Sequence, residues 1–320
     1  MKAAVILENG PPSVLKYLDM PDPEVGPGQV RIRVSAVSLE GGDLTHRRSV
    51  APPRIPHVIG YQAGGFVDAI GDGVSNVSEG QRVVAFNWSG SHAELFVVPA
   101  AHIIAIPDDV DLLAAATVPV AFGTAHDSLF EFGRLQPGET VLIRGGAGGV
   151  GLAAIQLAKA AGARVIATAS SAERLARLRE YGMDHGINYR EEDIVKATMA
   201  LTDGRGADLS VDMAGGNGLR SVIRATRYRG RLSVVGASSA EPTQIEFFDI
   251  IRQSMTFYGI YFGREMQSQR AHELLAEIFT RIASRELRVP IDRIFGLAEA
   301  ASAHHYAETG HPVGRVVIVP

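Results

Sequence analysis

Short apolar runs rich in β-branched residues open the chain, over 3–7, 30–37, 65–70, 82–86 and 93–98. Turn clusters separate them, among them Pro21-Asp22-Pro23, Gly26-Pro27-Gly28 and Gly71-Asp72-Gly73. Short strands with Gly and Pro punctuation predict a barrel-like or sandwich-like β unit over 1–120. Near Pro119 the rhythm changes. Strands at 141–144, 165–169, 209–213 and 232–236 alternate with helices at 150–161, 172–181 and 219–226, and Gly162 and Gly182 stand where helix C-termini favour glycine. Such alternation implies a parallel sheet with right-handed crossovers. A polar-faced helix over 268–286, a shorter one over 297–309 and a last strand over 314–319 complete the chain. The expected class is α/β: a β-rich unit followed by a doubly wound parallel sheet.

Composition narrows the function. The 320 residues carry a formal charge of -4, which argues against nucleic acid or an anionic membrane as the main partner. There is no cysteine, so disulfides, thiolate nucleophiles and Cys-based zinc sites are excluded. No run of apolar residues is long enough to span a bilayer, and the start MKAAVILENG is too short in apolar residues for a signal peptide. A cytoplasmic location is the default expectation.

The chemistry concentrates after the strand ending at Arg144. Gly146, Gly148 and Gly151 in Gly145-Gly146-Ala147-Gly148-Gly149-Val150-Gly151 satisfy the dinucleotide pattern G-x-G-x-x-G. One glycine makes the turn, one admits the pyrophosphate, and one lets helix and strand pack closely. The following helix directs its N-terminal amides and positive dipole end at phosphate. In NAD-binding units an acid closes the second strand and takes the ribose 2′-OH. Here the strand ends Thr168-Ala169-Ser170-Ser171, without an acid. Ser170 and Ser171 would accept a 2′-phosphate, Arg174 could bind it with a paired contact, and Tyr189 could donate its hydroxyl. NADPH is therefore favoured over NADH. Ser171 also reads as a plain helix N-cap, and Arg174 as a solvated helix residue.

With these motifs the sequence resembles the medium-chain dehydrogenase/reductase superfamily, in its zinc-independent quinone oxidoreductase (zeta-crystallin-like) branch. Further landmarks are Pro56-His57-Val58-Ile59-Gly60, Gly80-Gln81-Arg82-Val83, Gly186-Ile187-Asn188-Tyr189-Arg190 and Gly314-Arg315-Val316-Val317. The resemblance implies a GroES-like catalytic domain from both chain ends (1–120 and 263–320) and an inserted NADPH-binding Rossmann domain (121–262). It also implies a homodimer, with 255–262 a candidate edge. It brings Thr124, Ala214, Gly236, Ser238, Phe262 and Arg315 to the cofactor, beside Gly146, Ala147, Gly148, Gly149 and Val150.

Zinc-dependent relatives place a Cys where this chain has Glu40 and a His-Glu pair where it has Tyr61-Gln62, and Val120 and Ala121 stand near the domain junction. A catalytic zinc needs about three protein ligands, so no metal is expected. His304 and His305 are adjacent on a helix and diverge, and His46, His57 and His92 are scattered. A reductase without a Lewis acid favours substrates that are already electrophilic, such as quinones and enones. Candidates for chemistry are Glu40, Asp43 and Tyr61, and for the substrate pocket Thr45, Phe86, Trp88 and Phe122. Many quinone reductases have Asn at the position of Glu40 and Tyr near Thr45. Glu40 could take that Asn's hydrogen bond, or serve as proton source if buried. The aromatics read equally well as core. The expected activity is NADPH-dependent reduction of a quinone or similar conjugated carbonyl compound. Reduction of an enone or 2-alkenal double bond, or non-catalytic NADPH and RNA binding, are the rival expectations.

Overall fold

The computed structural model describes residues 1–320. In chain order the first elements are β1 (Lys2–Ile6), β2 (Lys16–Asp19), β3 (Gln29–Ser38), α1 (Gly41–Ser49), β4 (His57–Val58), β5 (Gln62–Ile70), β6 (Arg82–Phe86), β7 (Leu95–Pro99), β8 (Ile103–Ala105), α2 (Leu112–Ala115) and α3 (Val118–His126). Then come β9 (Thr140–Arg144), α4 (Gly149–Ala160), β10 (Arg164–Ala169), α5 (Ala172–Arg179), β11 (His185–Asn188), α6 (Ile194–Leu201), β12 (Ala207–Asp212), α7 (Leu219–Ala225), β13 (Thr226–Val234), α8 (Phe247–Gln253) and β14 (Thr256–Gly259). The last are α9 (Gln269–Ala283), β15 (Ile291–Gly296), α10 (Ala300–Thr309) and β16 (Arg315–Val319). Two compact units result, one from Met1–Val120 with Gly263–Pro320, the other from Ala121–Phe262.

The first unit is β-rich. A seven-stranded sheet runs β15-β16-β3-β5-β6-β8, with β7 also on β3, and β2-β1-β4 form a second sheet. The alternation of β3 is the reason: Val30, Ile32 and Val34 turn into one core with Val67, Val83, Phe96 and Ile318, while Arg33 between them is exposed. β16, the end of the chain, lies antiparallel to β3 at Val317–Ser38 and Ile318–Val37. That pairing seats Arg315 beside the segment that follows β3.

The second unit holds six parallel strands in the order β11-β10-β9-β12-β13-β14. It is the doubly wound order, with β9 first and the reversal between β9 and β12. The central strands read as unbroken apolar runs because both faces are covered; β12 is buried at every position. Leu142, Ile166, Ile187, Val222 and Leu232 share one core.

Several elements go beyond the sequence expectation. α1, α6, α8 and β15 were not expected. α1 carries two glycines and Leu44 as its one large apolar residue, so it shows no helical apolar stripe; β15 has three of six residues charged or glycine, IDRIFG. α9 begins where Ser268 caps the amide of Ala271, and it stops at Ala283, short of the expected 286, just before Arg285 turns to positive φ.

Candidate active site

The glycine loop shows three uses of glycine, but the turn falls at Gly145 rather than at Gly146, which has no positive φ and packs on Ala167. Gly145 has φ +90 and turns the chain out of β9. A Cβ at Gly151 would lie 2.4 Å from the carbonyl oxygen of Gly145, so α4 packs directly on the loop. A Cβ at Gly148 would meet only that same oxygen, at 3.7 Å, leaving the backbone open to a ligand. Gly148 caps the 12-residue helix α4, with Gly149 and Val150 in its first turn. Ala147 is buried behind them.

At the end of β10 the expected phosphate residues come together. Arg174 Nη1 donates to Ser170 Oγ at 2.8 Å. Ser171 is the N-cap of α5 and accepts from the Arg174 amide at 3.3 Å. The Tyr189 amide donates to the Ala169 carbonyl at 3.2 Å, and the residue is 47% exposed. Two hydroxyls and a guanidinium thus gather at a strand end that bears no carboxylate, with the backbone of Tyr189 beside it. This donor set fits a 2′-phosphate. Ala214 follows β12, and the amides of Ser238 and Ser239 after β13 donate to the carbonyls of Met213 and Ala214 at 3.3 and 3.0 Å. Gly236 lies over Met213 as well. Thr124 and Phe122 flank Gly123, where a Cβ would meet the ring of Phe262 at 2.1 Å; Phe122 and Phe262 are both buried.

In the first unit a buried polar cluster occupies the turn between β3 and α1. Glu40 and Asp43 cap α1 reciprocally, and Asp43 Oδ2 accepts from the Glu40 amide at 2.9 Å. Glu40 Oε1 accepts from Ser38 Oγ (2.7 Å), Gln62 Nε2 (3.5 Å) and, at short range, Arg315 Nη2. Arg315 also donates to Ser38 Oγ (2.6 Å) and the Leu39 carbonyl (3.1 Å). Gln62 is saturated by the Ala116 carbonyl and the Val120 amide. Burial drives the Asp43 carboxyl well above the usual carboxylate range and the Tyr61 phenol well above its own, so the phenol holds its proton at neutral pH. Asp43 Oδ1 has no partner.

An aromatic ladder leads outward from this cluster. Tyr61 meets Phe86 at 5.5 Å between centroids, and Phe86 meets Trp88 at 5.1 Å, both edge to face. Phe86 is buried and Trp88 is 46% exposed. Thr45 is exposed and donates to the Gly41 carbonyl at 3.2 Å.

The positions that the resemblance assigns to zinc ligands do not fit zinc. Glu40 is ion-paired to a guanidinium, both ends of the Gln62 amide are bonded to backbone, and Tyr61 keeps its proton. No group of three or more His, Asp or Glu side chains is arranged to hold a metal.

The histidines hold one finding that sequence spacing hid. His92 and His304 were not expected to meet, yet their Nε2 atoms lie 3.1 Å apart, both rings fully buried. Arg47 Nη1 lies 3.4 Å from His304 Nδ1, and a guanidinium only donates. His304 therefore carries its proton on Nε2 and donates to His92, whose Nδ1 faces Ser91 Oγ at 3.4 Å. Gly60 adjoins this chain: a Cβ there would lie 1.9 Å from His92 Nδ1.

Comparison with known proteins finds relatives over the whole chain. Residues 26–108 match the alcohol dehydrogenase GroES-like domain, and 149–278 match the zinc-binding dehydrogenase family. A quinone oxidoreductase of Pseudomonas aeruginosa is 32% identical over 97% of both chains. A 2-haloacrylate reductase of a Burkholderia species is 29% identical over 99% of this chain and 98% of its own. The crystal structure of Escherichia coli quinone oxidoreductase complexed with NADPH superposes over 100% of both chains, with TM-score 0.95 and 25% identity.

Proposed function

The chain belongs to the medium-chain dehydrogenase/reductase superfamily, in its quinone oxidoreductase branch, and from that premise we propose that it reduces a quinone or similar conjugated carbonyl compound without zinc. It is an oxidoreductase and binds NADPH. Bound NADPH supplies the hydride; the rest of the chemistry falls to the protein. The reading places Gly146, Gly148, Gly149 and Val150 under the diphosphate, with Ser170, Ser171, Arg174 and Tyr189 on the 2′-phosphate. Thr124, Ala214, Gly236, Ser238 and Phe262 would line the remainder of the cofactor.

The observation that carries the substrate class is the Glu40–Arg315 pair in the place of a metal site. With Glu40 and Gln62 bonded within the protein, nothing there is left to polarise an isolated ketone as zinc would. A substrate whose conjugation already delocalises the incoming charge needs no such help. Planar rings of that kind match the ladder of Tyr61, Phe86 and Trp88. Tyr61 holds its proton, and in this reading it donates that proton to the reduced substrate, with the buried Asp43 carboxyl, raised above its ordinary range, behind it. The arginine contact leaves Glu40 an orienting rather than a proton-donating role.

The full-length likeness to a 2-haloacrylate reductase favours a second reading, reduction of a conjugated C=C bond. The two separate by product. Steady-state assays with NADPH and NADH against quinones and 2-alkenals, followed by mass spectrometry, should give hydroquinone from the quinones. Saturated aldehyde as the dominant product would replace the first reading with the second, and no turnover of either class would remove both.

A further inference from the structure

Arg144 ends β9 immediately before the glycine loop. Its Nη1 donates to both oxygens of Asp212, at 3.3 and 3.0 Å, and to the Gly215 carbonyl at 2.7 Å. Asp212 ends the neighbouring strand β12 and is fully buried. Its Oδ1 accepts the amides of Ala214 (2.6 Å) and Gly215 (3.0 Å). The loop is shaped around the guanidinium: a Cβ at Gly218 would lie 2.1 Å from Arg144 Nη2, and Gly215 and Gly216 turn the chain with φ of +62 and +61. From there the bonding continues into the loop after β13. The Gly216 amide donates to Thr243 Oγ1 at 2.7 Å, and Ser238 and Ser239 donate back to Met213 and Ala214. One side chain therefore ties the strand of the glycine loop to the loops that follow β12 and β13.

We infer that Arg144 is a positioning residue for NADPH, which fixes the loops after β12 and β13 for the nicotinamide half of the cofactor. In a doubly wound sheet each half of the strands receives one mononucleotide, and the crevice opens at the carboxyl ends where the order reverses. Arg144 and Asp212 sit on the two strands that flank this reversal. The adenosine half, with its 2′-phosphate, belongs to the other side, at Ser170, Ser171 and Arg174 around the end of β10. Arg144 therefore acts on one half of the ligand and not the other. All these bonds leave one nitrogen, Nη1, which the rigid guanidinium plane holds at a fixed place between the carboxylate and the carbonyl; the flexible stem of a lysine would not fix its ammonium there.

Calorimetric titration of Arg144→Met and Arg144→Lys with NADPH, and separately with adenosine 2′,5′-bisphosphate, tests this. NADPH affinity should fall about tenfold or more in the methionine variant, as expected when charge-assisted hydrogen bonds are lost. Affinity for the bisphosphate should stay within about twofold, because its 2′-phosphate lies at the end of β10 and the Arg144 side chain bonds Asp212 and Gly215 rather than the glycine loop. The lysine variant should move in the same direction, and it decides the matter if the methionine variant does not fold. Equal loss for both ligands in a folded variant, or unchanged NADPH binding in both variants, overturns the inference. Wild-type protein that binds neither ligand would instead overturn the cofactor assignment on which it rests.

Discussion

Glu40 and Arg315 are joined across 275 positions in the chain, and both are nearly inaccessible to solvent. Removing one partner of a buried ion pair leaves a desolvated charge, which costs about 3–5 kcal/mol. Arg315→Met should lower the urea midpoint accordingly. Adding Glu40→Gln should restore part of the loss, since the orphaned carboxylate is then gone; strictly additive losses would show that the two groups do not interact. Asp43 behaves in the opposite sense. Its carboxyl stays protonated far above the usual range because it is buried. The unfolded chain gives up that proton near pH 3.8, so above this pH folding must hold a proton that the unfolded state has released. Asp43→Asn removes the penalty, and its amide oxygen can still accept from the Glu40 amide. The variant should lose less stability than the parent as the pH rises above 3.8, and be less active if the carboxyl takes part in proton delivery. A fall in stability with rising pH that persists in Asp43→Asn would contradict the assignment.

At the scale of elements, the buried chain Arg47–His304–His92–Ser91 joins α1, α10 and the turn before β7. Burial pulls His92 down to about 3 and His304 well below 6.5, the latter also under the charges of His92 and Arg47. Both stay neutral in the folded state while the unfolded chain takes up protons below pH 6.5. Stability should therefore be full above pH 6.5 and decline as the pH falls toward about 3. Replacing His92 with Phe should flatten the decline in a series of urea midpoints against pH; an unchanged slope would show that these rings do not set it. This contact also marks where sequence reading stops. The parallel strands and the glycine loop were legible because apolar runs and glycine spacing are local signals. His92 and His304 are 212 residues apart, and no local pattern brings them together. α1 was hidden for another reason: its residues GGDLTHRRS are chosen for a capping box and polar contacts rather than for an apolar stripe. The serines and Arg174 were readable as a phosphate set, whereas Arg144 looked like an ordinary strand end, since its meaning depends on the carboxylate across the strand reversal.

For the molecule as a whole, β14 is an open edge of the six-stranded sheet, and α8, just before it, exposes Phe247 at 72% and Phe248 at 64%. Unpaired strand edges and large exposed aromatics are surfaces that proteins cover. We expect a homodimer, visible in light scattering as twice the chain mass; a single-chain mass at micromolar concentration would rule it out. Phosphate recognition at the end of β10 and a reaction that needs no metal are the two halves of the proposed activity. Initial rates of NADPH and NADH oxidation with a quinone, using chelator-treated protein, test both at once. kcat/KM for NADPH should be at least about tenfold above that for NADH, as a phosphate bound by a guanidinium implies, with no dependence on added zinc. Equal use of NADH, or activity lost on chelation and restored by zinc, would contradict it.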